Sequence, residues 1–91
     1  MHPKKIDNLA IRTVGLETLV HDESNDAIHV LNETAGRVLE LCDGTRSPDA
    51  IAREIAGACG IDPGMVAADV EEVLEHFASL NLLQNETVVV G

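Results

Sequence analysis

Histidines, cysteines and carboxylates are the side chains of this sequence that could support catalysis or bind a metal ion. The four histidines are scattered along the chain, and no two have the i, i+4 spacing that places ligands on one face of a helix. Cys42 and Cys59 lack C-x-x-C spacing, and we interpret both as small buried apolar residues of helices. The sequence contains no phosphate-binding loop and no G-x-S-x-G motif. It therefore predicts no catalytic residue, no metal site and no cofactor, and an enzyme is disfavoured.

The charge of the chain is strongly acidic, because 16 Asp and Glu residues against 6 Lys and Arg residues give a formal net charge of -10. Asp69, Glu71, Glu72 and Glu75 fall in one predicted helix that contains no Lys or Arg, so its approach to a phosphate backbone would be repulsive. Phe77 is the single aromatic residue, which leaves no platform for stacking bases or sugars. Composition therefore disfavours nucleic acids and anionic membranes and favours a basic or neutral partner.

The length of 91 residues suits one domain with one modest aliphatic core. No run of about 18 apolar residues occurs, and no apolar segment follows the lysines near the N-terminus. We therefore expect neither a membrane span nor a signal peptide. The expected location is cytoplasmic, where a reducing environment makes a disulfide unexpected.

Alternating apolar and polar residues predict three short strands, over residues 8–14, 17–21 and 27–31. Gly15 and the polar cluster at residues 22–26 provide tight turns between them, so the strands should form an antiparallel meander. Residues 1–7 have no periodicity and are expected to form a flexible N-terminal arm.

Two helices are predicted directly after the strands. Asn32 is suited to cap the first helix, and Gly44 can close it in a left-handed conformation. The apolar face of this helix consists of Ala35, Val38, Leu39 and Cys42. Ser47 and Pro48 are a start signal for the second helix, which should run to about Cys59. Its apolar face consists of Ile51, Ile55, Ala58 and Cys59.

A third, longer helix should begin at Asp62 and Pro63 and end near Leu80, before Asn81. Its apolar stripe consists of Val66, Val70, Val73, Leu74 and Phe77. Leu82 and Leu83 can then pack back on the core, while residues 88–90 could form an extra strand or stay extended. The predicted fold class is α+β and winged-helix-like, with a three-stranded antiparallel sheet followed by three helices that cover one face of the sheet.

The segment LNETAGRVLELCDGT, at residues 31–45, resembles the PqqD family, also called RiPP recognition elements. The matching positions are Leu31, Asn32, Thr34, Ala35, Val38, Leu39, Leu41, Asp43 and Gly44, and further on Asp69, Val70, Val73, Leu74, Leu82 and Leu83. The similar region spans residues 8–83 and leaves 84–91 as a C-terminal extension. Asn81 stands where the family commonly has Gly, and the proline-containing strand turn of the pyrroloquinoline quinone proteins is absent.

This resemblance implies a non-catalytic chaperone that binds the leader of a ribosomally made precursor peptide. Such a protein presents the leader to a modifying enzyme, often a radical S-adenosylmethionine protein. The leader would add as a strand beside the third β-strand, in a groove bounded by the third helix. The residues assigned to peptide binding on this basis are Ala27, Ile28, His29, Val30, Leu31, Met65, Val66, Asp69, Val70, Glu72, Val73 and His76.

Plainer interpretations stay open for these residues. The third strand could be an ordinary edge strand, and Val66, Val70 and Val73 could belong to the core. The stripe of Met65, Asp69, Glu72 and His76 could be a solvated surface or a groove rim that attracts a basic leader. Asn32, Asp43 and Gly44 are assigned to capping and turning. The alternative function is a winged-helix-like regulatory protein acting through protein-protein contacts, with a small enzyme third.

Overall fold

The computed structural model describes residues 2–84 of the chain. The alternatives for residues 88–90, an extra strand or an extended segment, fall outside the described residues, as does nearly all of the extension predicted at 84–91.

Three strands precede three helices, and the predicted α+β fold is confirmed. The elements are β1 (Leu9–Val14), β2 (Glu17–Asp22), β3 (Ala27–Leu31), α1 (Glu33–Leu41), α2 (Pro48–Cys59) and α3 (Pro63–Ser79). The strands form one antiparallel sheet in the order β1-β2-β3. Strand β1 begins at Leu9 because Asn8 has a left-handed backbone, with φ of 65°, which interrupts an extended chain.

The turn before β3 is organised by a buried carboxylate. Asp22 is enclosed on the helix side of the sheet and accepts hydrogen bonds from the side-chain amide of Asn25, at 2.8 Å, and from the backbone N–H groups of Asn25 and Ser24. These hydrogen bonds lower the pKa of Asp22, and the one from the Asn25 side chain has the largest effect. A charged Asp22 therefore holds together the turn that delivers the chain into β3.

Helix α1 packs on β2 and β3 and also contacts α2 and α3. Its predicted apolar face is confirmed, because Ala35, Val38, Leu39 and Cys42 are all buried. Gly36 allows the helix to approach the sheet closely, since a Cβ at this position would lie 3.0 Å from the Cβ of Thr18 and closer still to its hydroxyl oxygen.

Helices α2 and α3 pack against each other along most of the remaining core. The α3 stripe is confirmed for Val66, Val70, Leu74 and Phe77, which are buried, while Val73 is only half-buried. The buried residues of α2 are Ile51, Ala52, Ile55 and Ala56. The prediction that Ala58 and Cys59 face the core was wrong: both are exposed, because the last turn of α2 extends past the core.

Helix α1 ends at Leu41, slightly earlier than the position of Gly44 suggested. Its cap is Cys42, whose N–H donates to the carbonyl of Leu39, while Gly44 adopts a φ of 86° in the following turn. Asp43 fixes that turn by accepting from the backbone N–H and hydroxyl of Thr45. Gly60 and Asn81 have left-handed backbones after α2 and α3.

Residues 3–6 are paired with two distant segments, in contrast to the flexible arm expected over 1–7. The N–H of Lys5 donates to the carbonyl of Cys42 at 2.8 Å, and the N–H of Ile6 donates to the carbonyl of Leu82 at 2.9 Å. Leu82 is fully buried, so the segment after α3 does pack back on the core. Each of these partners is remote in sequence, and no local pattern could reveal the pairing.

Candidate functional site

A groove of about 430 Å³ lies between β3 and α3. Its β3 side and floor are formed by Val30, Leu31, Asn32 and Ala35. Glu72, Val73 and His76 of α3 form the opposite wall. The groove thus has apolar side chains along its base and polar groups along its α3 rim.

Helix α1 creates this groove by acting as a spacer. It packs against both β3 and α3, whereas β3 and α3 themselves make no close backbone approach within residues 2–84. The start of α1 is fixed by Asn32, whose side-chain oxygen accepts a hydrogen bond of 2.8 Å from the N–H of Ala35. Because Ala35 has a small side chain, it does not fill the space between the two walls of the groove.

Strand β3 is an edge strand with an unprotected edge. It pairs with β2 on one side, through a register that places Val30 opposite Leu19 and His29 opposite Val20, and no strand pairs with its other side within the described chain. Edge strands are usually protected by charged residues, proline or a bulge. The β3 sequence AIHVL contains no Lys, Arg, Asp, Glu or Pro. Its free edge therefore has no charged residue or proline that would repel another strand.

The structure brings together five of the residues assigned to binding from the sequence. Those that line the groove are Val30, Leu31, Glu72, Val73 and His76. Ala27, Ile28 and His29 belong to the same edge strand but lie outside the groove itself. Met65 and Asp69 are exposed on the same flank of α3 as Glu72, nearer its N-terminus.

Val66 and Val70 do not line the groove, and here the assignment to peptide contact was wrong. Their side chains are 3% and 0% exposed, so they belong to the core beneath α3. Their positions on the helix lie closer to the centre of the apolar stripe than that of Val73, which explains why only Val73 reaches the groove.

Two residues that line the groove were not assigned to peptide binding from the sequence. Asn32 was assigned to capping, and the structure shows that it both caps α1 and lines the groove. Ala35 was assigned to the apolar face of α1 and also forms part of the groove floor. The spacing of Asn32 and Ala35 at i, i+3 after the edge strand was the available signal, because it places both on the helix side that follows β3.

Within residues 2–84, no cluster of three or more His, Cys, Asp or Glu side chains has the arrangement needed to hold a metal ion. In that same part of the chain no helix combines the length and apolarity required to cross a membrane.

Solved structures with a similar fold include two complexes with leader peptides. TbiB1 in complex with the TbiA(beta) leader peptide superposes with a TM-score of 0.77 at 19% identity, covering 93% of this chain and 99% of that one. The lasso peptide synthetase B1 complexed with its leader peptide gives a TM-score of 0.76 at 10% identity, covering 93% and 100%. Both likenesses concern the fold.

A third structure is the PqqD truncation of Methylobacterium extorquens PqqCD, described as a functional and stand-alone RiPP recognition element, where RiPP denotes a ribosomally synthesized and post-translationally modified peptide. Its TM-score is 0.75 at 21% identity, covering 91% of this chain and 88% of that one. Among curated proteins no match was found. The family model for coenzyme PQQ synthesis protein D (PqqD) matches residues 17–83, which include the whole of the groove. The chain described here therefore belongs to the PqqD family.

Proposed function

We propose that this protein binds the leader of a ribosomally synthesized precursor peptide and presents it to a modifying enzyme, without catalysing a reaction itself. The observation that supports this most directly is the unprotected edge of β3 beside a groove with an apolar floor and a polar α3 rim. The partner enzyme would be a peptide-modifying enzyme, with a radical S-adenosylmethionine maturase as our candidate class.

Strand addition accounts for how an extended peptide would be held. The peptide backbone would exchange hydrogen bonds with the free N–H and carbonyl groups of β3. Alternate side chains of the peptide would point towards α3, where Leu31, Ala35 and Val73 offer apolar contact. A short strand with a few apolar anchors should bind in the micromolar range or tighter, about 8 kcal/mol or more.

The acidic rim should select the charge of the leader. Glu72 lines the groove and Asp69 lies one turn before it on the same flank of α3. No Lys or Arg occurs in α3 to balance them. A leader with Lys or Arg beside its apolar anchor would therefore bind more tightly than an acidic one, and this preference should weaken as salt is added.

The proteins of similar fold support the same assignment. TbiB1 and the lasso peptide synthetase B1 are each in complex with a leader peptide. The PqqD part of the Methylobacterium extorquens protein is a stand-alone recognition element. An unprotected β3 edge and a groove in this chain supply the physical basis for extending that function to it.

The test begins with a displayed library of random peptides, from which binders are selected with the full-length protein as bait. The selected peptide is synthesised and titrated into isotopically labelled protein while amide chemical shifts are recorded. We expect the shifts of Ala27–Leu31 and of Glu72, Val73 and His76 to move together. Strong binding that leaves the β3 amides unmoved would refute the proposal.

Charge reversal provides a matched pair of variants for the same titration. Asp69→Lys with Glu72→Lys should weaken a basic peptide about tenfold at low salt, the equivalent of about 1.4 kcal/mol. Glu71→Lys with Glu75→Lys makes the same change of charge at exposed positions of α3 that do not line the groove. The control pair should therefore have a much smaller effect. Equal losses in both pairs would indicate attraction by net charge alone.

A further inference from the structure

The face of β3 that points away from the helices is unusually apolar for an exposed surface. Ile28 is 69% exposed and Val30 is 59% exposed. The strand pleat directs successive side chains to opposite faces, so these two lie on the open face while Leu31 is buried on the helix side. The register places His21 opposite Ile28 and half-buried Leu19 opposite Val30. The apolar surface of β3 on the open face therefore extends to Leu19 of the neighbouring strand β2.

The two sides of β3 also differ in charge. The groove side has the acidic residue Glu72 on its rim. On the open face, a shallow hollow beside Ile28 is lined by Ala10, Ile11, Arg12, Leu19 and His21, and no Asp or Glu contributes to it. The carboxylate of Asp26 lies 3.3 Å from Nε2 of His21, at the margin of the hollow. An apolar occupant fits the part of this surface formed by Ile28 and Leu19, where it would gain burial while the guanidinium of exposed Arg12 stays in water.

We infer that Ile28 and Val30 form a second recognition surface for the leader peptide, one that contacts the side chains pointing away from α3. This inference rests on the proposed function, because only a strand added to β3 places peptide residues there. Directly opposite residues of neighbouring strands have Cβ atoms about 4.5–5.5 Å apart, so an added strand would cover both exposed side chains. Val30 borders the groove as well, which puts it at the junction of the two surfaces.

The substrate class follows from this two-sided contact. Alternate residues of the leader that face the open side should be aliphatic or aromatic. The intervening residues, which face α3, should combine an apolar anchor with Lys or Arg near Glu72. The leader should therefore be a segment with apolar residues at consecutive positions. If only one face of the added strand contacted the protein, the residue type would be restricted at every second position only.

The experiment measures which peptide positions depend on which protein residues. Each residue of the selected peptide is replaced in turn by Ser, and every peptide is titrated against wild type, Ile28→Thr and Glu72→Gln. Ile28 suits this test because it does not line the groove, and Thr retains β-branching and strand preference. We expect Ile28→Thr to weaken binding about two- to fivefold, as for the loss of one cross-strand apolar pair.

The control is Val14→Thr, a comparable change at a residue that is 53% exposed on the same face but belongs to β1. It should leave the affinity unchanged. Energetic coupling to Ile28 should be confined to every second position of the peptide, those that face the open side. Coupling to Glu72 should be confined to the intervening positions, which face α3.

The outcomes separate this inference from the proposed function. A peptide that shifts the β3 amides but tolerates Ser at all outward positions would overturn the two-sided contact and leave strand addition intact. Equal affinities of Ile28→Thr and Val14→Thr would overturn it as well. A peptide that binds without shifting the β3 amides would overturn both proposals.

Discussion

Gly36 shows how one residue sets the distance between two layers of the fold. It lies in the buried half of α1, where a Cβ would lie 3.0 Å from the Cβ of Thr18 on β2. Real Cβ atoms rarely approach so closely, and both atoms belong to short, stiff parts of the chain. The position of α1 over the sheet, and with it the height of the groove floor, depends on the missing side chain.

We predict opposite effects for two Gly→Ala substitutions in helices. Gly36→Ala should destabilise the protein by about 1–3 kcal/mol, because it overpacks the contact between α1 and β2. Gly57→Ala should stabilise it by about 0.5–1 kcal/mol, since a Cβ at Gly57 meets nothing within 4 Å and Ala is the better helix former. Urea unfolding of the two variants checks this, and a stabilising Gly36→Ala would contradict the packing argument.

Asp43 makes stability depend on pH in the acidic range. The pKa of this carboxyl is lowered from 3.8 to about 2. The hydrogen bond from the Thr45 hydroxyl has the largest effect, followed by that from the Thr45 backbone N–H, and Arg46 contributes further. Because the folded pKa lies below the unfolded one, the charged form stabilises the fold above the unfolded pKa. This contribution is lost as the pH falls through the folded pKa.

We therefore predict that Asp43→Asn is less stable than wild type at neutral pH and that the difference shrinks between about pH 4 and pH 2. Urea midpoints of both proteins across this range provide the measurement. The same comparison between about pH 7 and pH 5 is the control, where the difference should stay constant. If the stability difference between wild type and Asp43→Asn grew as the pH fell, the predicted direction of the pH dependence would be wrong.

At the scale of elements, α1 matters more for the site than its length suggests. It contacts both groove walls, and its first residues lie at the groove. Helix α2 has an equivalent cap, in which the side chain of Ser47 accepts a hydrogen bond from the N–H of Ala50, but this cap is outside the groove. The two caps allow helix stability and peptide binding to be separated.

Asn32→Ala and Ser47→Ala should each cost about 1 kcal/mol of stability, the usual value for a lost N-cap. Only Asn32→Ala should also weaken the selected peptide, because it loosens the start of α1 and removes a groove side chain. Chemical unfolding and peptide titration of both variants give the comparison. If Ser47→Ala weakened the peptide as much, general destabilisation would be the cause.

At the scale of the whole molecule, acidity separates this chain from DNA-binding proteins with a winged-helix arrangement. The net charge is -10, and α3, the element that would have to enter a groove of DNA, contains four acidic residues and no Lys or Arg. The same charge distribution favours a basic or neutral peptide at the α3 rim.

We predict no measurable binding to duplex DNA, even at low salt where electrostatic attraction is strongest. Fluorescence anisotropy of a labelled duplex is a suitable measurement, with a basic DNA-binding protein as the positive control. Tight binding that falls steeply as salt is added would contradict this prediction and favour a regulatory function.

Much of the fold follows from the sequence because its signals are local. Period-two alternation predicted the strands, and Asn32, Ser47 and Asp62 predicted the helix starts, since a cap acts on N–H groups two or three residues away. The bounds of β3 and the strand order were likewise predictable, because short turns at Gly15 and residues 22–26 allow only a meander.

The family resemblance implied a groove between β3 and α3, but which residues line it was decided by tertiary structure. The groove requires that α1 hold β3 and α3 apart, so its walls are residues such as Leu31 and Val73 that are distant in sequence. The same long-range packing buried Val70, left Cys59 exposed and paired Lys5 with Cys42. Periodicity identifies the apolar side of a helix, but the depth to which each residue on that side is buried depends on where the neighbouring elements end.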